Sequence, residues 1–190
     1  MCIKDRITTR SPELVTAYDN LQADLEKVLS YLEQKGIRKE DISIPSVITT
    51  IQYKRTPQGM TTNIVEGYTL VQTVSITSPN IEQVADIANQ VTVLIKEGIE
   101  FDSFSPQYFY TKLDDMKIEL LGEATKNAGM RAKQLAENSG SKVGSLKYAS
   151  QGVFQITPVY STQVFDYGTY DTSTIKKSVK AVVTMEYSIQ

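Results

Sequence analysis

Few of the side chains that carry enzymatic chemistry are present in this sequence. Histidine is absent from all 190 residues, and Cys2 is the one cysteine. That removes imidazole acid–base catalysis, Ser-His-Asp and Cys-His nucleophiles, and every His-ligated metal. A lone thiol also excludes an intrachain disulfide, a CxxC redox pair and a cysteine-rich zinc site. Carboxylates, lysines and aromatics remain. Asp114, Asp115 and Glu119 could hold a hard cation through oxygen ligands, but acids in a first helical turn are equally explained by the helix dipole. Asp166 and Asp171 fall in a polar loop without EF-hand spacing. A hydrolase working with carboxylates alone would need two acids facing each other across a cleft, which spacing along a chain does not show. Gly140-Ser141-Lys142 lacks the Walker spacing, and Gly140 reads as a helix stop. Lys176, Lys177 and Lys180 read as solvated lysines protecting a strand edge. Cys2 reads either as the acylated cysteine of a lipoprotein or as an incidental thiol in a strand. The expectation is a protein that is not an enzyme, with no catalytic residue, cofactor or metal.

The chemistry that does stand out is aromatic. Tyr160, Phe165, Tyr167 and Tyr170 lie in or beside the polar segment 161–174, which has little with which to bury them. Exposed aromatics in a polar setting give large contact area at low entropic cost, so these four are the candidate interaction residues. Folding back over a sheet is the other reading. Twenty Lys and Arg against 22 Asp and Glu give a net charge of −2, without the basic stripe of a nucleic-acid binder. No run of 18 apolar residues exists, so no transmembrane segment is expected. An apolar fraction of 41% is that of an ordinary globular chain.

The elements that position these residues follow from periodicity. Ile3 and Ile7 share one face of an extended segment, so residues 2–9 read as the tail of a strand. Ser11 and Pro12 open a helix to Lys35, with Leu14, Tyr18, Leu21, Leu25, Val28 and Leu32 as its apolar stripe and Gly36 as its stop. Alternating β-branched residues and the turn at 56–59 predict an antiparallel hairpin over 42–77. Asn80 with Gln83 forms a capping-box pattern ahead of a helix carrying Ile81, Val84, Ala88, Val91 and Ile95. An aromatic strand follows over 99–110. A third helix, 113–139, carries Met116, Leu120, Ala124, Ala128, Ala132 and Ala136 four residues apart, a ridge that permits close approach. Strands are expected at 146–160 and 175–190. The sum is an α+β fold, an antiparallel or mixed sheet with about three amphipathic helices on one face, in a single domain over 1–190.

The order of these elements, with several local signatures, resembles the SIMPL-domain family of bacterial envelope proteins, a domain of unknown function. The signatures are Ala17-Tyr18 in a helix ending Leu32-x-x-x-Gly36-Ile37, then Asp41-Ile42, Val65-Glu66-Gly67-Tyr68, Gly98-Ile99, and the alanine-spaced helix from Glu123-Ala124 to Ala136, running into Gly140 and Gly144. The resemblance implies an extracytoplasmic protein exported by a leader upstream of this chain, with a tendency to self-associate into a homo-oligomer. The family offers no catalytic residues to carry over. The first functional expectation is therefore a non-enzymatic envelope protein acting through sheet edges or the aromatic loop. The alternative is a small-ligand or peptide-binding module with a pocket between the helices and strand 99–110.

Overall fold

The computed structural model describes residues 1–163 and 165–190. It is α+β, and divides into two compact units, Met1–Gln107 and Tyr108–Gln190. In the first, strand β1 (Cys2–Ser11) leads into helix α1 (Leu14–Gln34). Strands β2 (Ile42–Ser43), β3 (Ile48–Arg55) and β4 (Thr61–Thr77) follow, then helix α2 (Ile81–Gln90) and strand β5 (Glu100–Ser103). The sheet runs β2-β4-β1-β5, all antiparallel, with β3 also pairing to β4. The expected hairpin is thus present, and the opening segment is a central strand rather than a fringe.

Period-two alternation puts Ile3, Asp5, Ile7 and Thr9 on the face of β1 that meets the helices. Ile3 and Ile7 join Leu21, Val28 and Leu32 of α1, Leu70, Val74 and Ile76 of β4, and Val84 and Ile87 of α2 in one core. Helix α1 starts at Leu14 because β1 continues through Ser11, whose hydroxyl accepts the Glu13 N–H at 3.2 Å in the turn. Its buried stripe accordingly begins at Ala17, leaving Leu14 and Tyr18 exposed. Asn80 caps α2 by accepting the Gln83 N–H at 3.2 Å. The reciprocal half of the capping box does not form. The Gln83 side chain instead donates to the Lys35 carbonyl at 2.9 Å, and Lys35 donates to Gln90 at 2.8 Å, lacing the end of α1 to α2.

Asp5 is the anomaly of this core. It is 1% exposed, opposite Val74 on one side and Ser103 on the other. Neither carboxylate oxygen meets a hydrogen-bond donor. Burial pushes its pKa from 3.8 up to about 6, with Ser103 exerting a partly opposing pull.

The second unit contains helix α3 (Leu113–Asn138) and strands β6 (Val143–Gln151), β7 (Gln155–Pro158), β8 (Thr169–Tyr170), β9 (Lys177–Lys180) and β10 (Val183–Ile189). β6 and β10 form an antiparallel ribbon against which α3 packs, while β8-β7-β9 form a separate small sheet. The three helices therefore do not share one β-layer. The expected strand 175–190 is split at Ala181-Val182 between these two sheets, and the expected strand 146–160 breaks at 152–154 in the same way. The aromatic strand is shorter than 99–110 as well: only residues 100–103 hydrogen-bond to β1 as a ladder. Along α3 the alanine ridge is the more buried side, yet Ala136 is its one fully buried residue.

Candidate functional site

Apolar groups reach solvent at several places among the described residues, the late loop and the β3–β4 hairpin among them. The first is the expected late loop, of which Val164 lies outside the described residues. Buried Gln155, 2% exposed, fastens it from β7: its amide donates to the Phe165 carbonyl at 2.6 Å and its oxygen accepts the Phe165 N–H at 3.4 Å. A second anchor is Asp171. Its carboxylate accepts from the Ser173 N–H at 2.9 Å, the Ser173 and Thr174 hydroxyls, and the Lys177 ammonium at 3.2 Å. Asp171 and Lys177 are each 9% exposed, so Lys177 is an internal partner and not the solvated edge lysine its position suggested. Burial alone would raise the Asp171 carboxyl. The hydroxyls, the Ser173 N–H and Lys177 more than offset it, and hold the group well below the usual carboxylate range.

On this frame the four predicted aromatics are not brought into one cluster. Phe165 and Tyr167 pair at 5.5 Å between ring centroids, inclined by 32°, and Tyr167 is 83% exposed. Tyr170 stacks at 6.2 Å on Phe109, which sequence reasoning had placed in a strand. Tyr160 projects alone, 96% exposed, and has a φ of 69°. It occupies the turn closed by the Ser161 N–H to the Pro158 carbonyl at 3.1 Å. That backbone region costs an L-residue about 1 kcal/mol, and glycine is preferred there. Packing does not explain a strained, fully solvated tyrosine at this turn.

Asp171→Asn should loosen this frame. The variant keeps the shape but loses the charge that gathers three residues, and a destabilisation of about 2 kcal/mol in the Tyr108–Gln190 unit is expected. Because the native carboxyl titrates below its unfolded value, its stabilisation is full above the ordinary range and is lost as pH falls through the lowered pKa. The difference between wild type and variant should therefore persist from pH 8 to 5 and shrink only in stronger acid, as urea unfolding would record.

The second surface was not singled out from sequence. β4 outruns β1: its pairing with β1 spans Tyr68–Thr77, while its pairing with β3 continues out to Thr61. The hairpin beyond Gly67 is consequently a two-stranded arm. At its base a Cβ on Gly67 would lie 2.8 Å from the Ser11 carbonyl oxygen, so only glycine lets the strand pass there unshifted. Every residue of β3 is exposed. Ladder partners share a face, so Ile51 opposite Tyr68 and Tyr53 opposite Val65 form one row, continuing the apolar row of β4 past the cover of α1. The signal was available: strand alternation in a hairpin longer than its neighbours leaves apolar residues with nothing to face. Register shifts at Gln52/Tyr53 and Tyr53/Arg55 bend the arm.

The remaining candidates stay apart. Asp114 pairs with Lys117 at 3.1 Å on the exposed first turn of α3, and Asp166 is exposed. Gly140, with a φ of 75°, ends α3. Among the described residues, no three Asp, Glu or Cys side chains come together in a metal-binding arrangement. Among the described residues no helix is long and apolar enough to cross a membrane. The space expected to form a pocket between the helices and strand 99–110 is filled by Leu94, Ile99 and Phe101. In the second unit an open groove of about 490 Å³ lies between Ala124 and Ala128 of α3 and Ala181–Val183, where the small side chains leave space.

The search of curated proteins gives no match. A family model described as SIMPL, a protein of unknown function (DUF541), matches residues 3–187. The signature residues occupy positions their chemistry explains: Leu32 and Ala136 are buried, Gly36, Gly98 and Gly140 take positive φ at helix ends, and Gly67 admits the Ser11 carbonyl. Matched over nearly its whole length, the chain belongs to the SIMPL family.

Proposed function

We propose that the protein is a non-enzymatic component of the bacterial cell envelope that works by self-association, with the β3–β4 arm as its docking element. The observation that carries this reading is the exposed apolar row Ile51, Tyr53 and Val65 on a ribbon whose outer edges have no strand beside them among the described residues. The occupant that fits is a second copy. Lys54 and Arg55 lie toward the tip of the arm and Glu66 toward its base. Two arms laid antiparallel place the basic tip of each beside the acidic base of the other, whereas a parallel arrangement opposes like charges. The strained Tyr160 and the Phe165–Tyr167 pair offer a further contact area. The absence of histidine and of a thiol pair supports a role outside catalysis, and the envelope location rests on the family resemblance.

The test is sedimentation velocity across the micromolar range. Wild type should form a discrete oligomer, and the triple variant Ile51→Thr, Tyr53→Thr, Val65→Thr should associate at least about tenfold more weakly, as expected for loss of a central apolar contact. Threonine keeps strand propensity, so the circular dichroism spectrum should not change. A wild-type monomer at these concentrations, or a variant that assembles equally well, refutes the proposal.

A further inference from the structure

The solvent-facing side of β1 carries Cys2, Lys4 and Arg6, the alternates of the core residues Ile3, Asp5 and Ile7. Beside them the chain leaving β5 folds back and is held by main-chain bonds. The Phe104 N–H donates to the Lys4 carbonyl at 3.1 Å, the Gln107 N–H to the Cys2 carbonyl at 2.7 Å, and the Cys2 N–H to the Gln107 carbonyl at 2.8 Å. Together with Thr73 of β4, these residues enclose a concavity of about 270 Å³ lined by Cys2, Lys4, Arg6, Thr73, Phe104, Ser105 and Gln107. Its walls are secured by backbone bonds and need no ordering before a ligand enters.

The lining has a consistent chemistry. Lys4 and Arg6 bring two positive charges, and Thr73, Ser105 and Gln107 bring hydroxyl and amide donors, while no carboxylate lines the cavity. The Arg6 guanidinium lies 5.1 Å from the centroid of the Phe104 ring, which orients its planar fork. Among the described residues neither Lys4 nor Arg6 makes an ion pair; Arg10, two alternations along the same face from Arg6, is paired with Glu100. Asp102 stands opposite Arg6 in the β1–β5 register, and its carboxylate stays beyond ion-pair distance. Two cations that make no ion pair among the described residues, lining a preformed hollow with neutral donors, match an acceptor-only ligand, with Asp102 on β5 as its nearby competitor.

We infer that this concavity binds a small oxyanion, a phosphate or carboxylate group, held between Lys4 and the Arg6 fork. The site lies outside the β3–β4 arm, so it stands or falls independently of self-association. The experiment is a titration of the full chain with sodium phosphate, followed by amide chemical shifts, against sodium chloride at matched ionic strength. Saturable shifts confined to residues 2–6, 73 and 104–107, with millimolar or tighter affinity, are expected from wild type. Arg6→Gln and Lys4→Gln should each weaken binding about tenfold, and Arg6→Lys should lie between, since it keeps the charge and loses the fork. Both positions are solvent-facing, and unchanged spectra elsewhere in each variant verify the fold. Shifts no larger than chloride produces, or Gln variants that bind phosphate as wild type does, overturn the inference.

Discussion

Replacing Asp5 with asparagine should stabilise the Met1–Gln107 unit by about 3 kcal/mol at pH 8, and by nearly nothing at pH 4. The reasoning is a proton linkage. Asp5 titrates near 6 in the folded chain instead of at 3.8, and at about 1.4 kcal/mol for each pH unit that difference amounts to about 3 kcal/mol. The folded state binds the proton more tightly than the unfolded state. The favourable contribution is therefore complete below the ordinary carboxylate pKa and disappears as pH rises through about 6. Above that, the native core holds a carboxylate with no donor on either oxygen. Asparagine imitates the protonated form in size and in its unsatisfied polarity, and removes the charge. Among the described residues no cation faces Asp5, and Ser103 offsets only part of the burial cost. The inward residues of β4 are Leu70, Gln72, Val74 and Ile76, and those of β5 are Phe101 and Ser103. α1 and α2 turn Leu21, Val28, Val84 and Ile87 into the core, where Tyr31 packs as a neutral phenol. Urea denaturation from pH 4 to 8 would show wild type gaining stability as pH falls through 6, and the variant lacking that slope. A pH-independent difference between the two proteins would refute the linkage.

The second large effect concerns the two units. Opening of the Tyr108–Gln190 unit should be at least about a hundredfold more populated than that of the Met1–Gln107 unit in native-state hydrogen exchange, because protection follows buried apolar contact. The first unit closes around a core running from Ile3 to Phe101. Among the described residues of the second, only Ala136 and Ile156 are buried hydrophobics. What holds the second unit is polar: the Gln155 clamp on Phe165 and the cage around Asp171. Amides of β1 and β4 should exchange last, and those of β6 and β10 early. Equal protection in both units would contradict this account.

Where the sequence was legible, the reason was local periodicity. The Leu21 to Leu32 stripe, the Asn80 cap, the hairpin and the Gly36 and Gly140 stops each depend on neighbours a few residues away, and each is found in the structure. The division of 175–190 was not legible, because alternation continues through Ala181-Val182 whichever sheet a residue joins. Asp5 was half legible. The Ile3–Ile7 row that identifies the strand includes it, but spacing does not show that the carboxylate meets no donor inside the core. The four late-loop aromatics read either as exposed or as folded back over a sheet, and spacing does not decide between the two: Tyr160 and Tyr167 are exposed, while Tyr170 stacks on Phe109. The arm was missed because its exposure arises from a difference in length between β4 and β1, a property of two segments 50 residues or more apart in the chain.

The placement of β1 also governs how the chain can mature. Residues 2–11 leave the ribosome well before their ladder mates, 68–77 and 100–103. Until residues 100–103 have emerged, the middle of the sheet has a neighbour on one side at most, and Ile3 and Ile7 stay uncovered. The first unit is thus assembled late and nearly at once, because its central strand waits for partners supplied by two later parts of the chain.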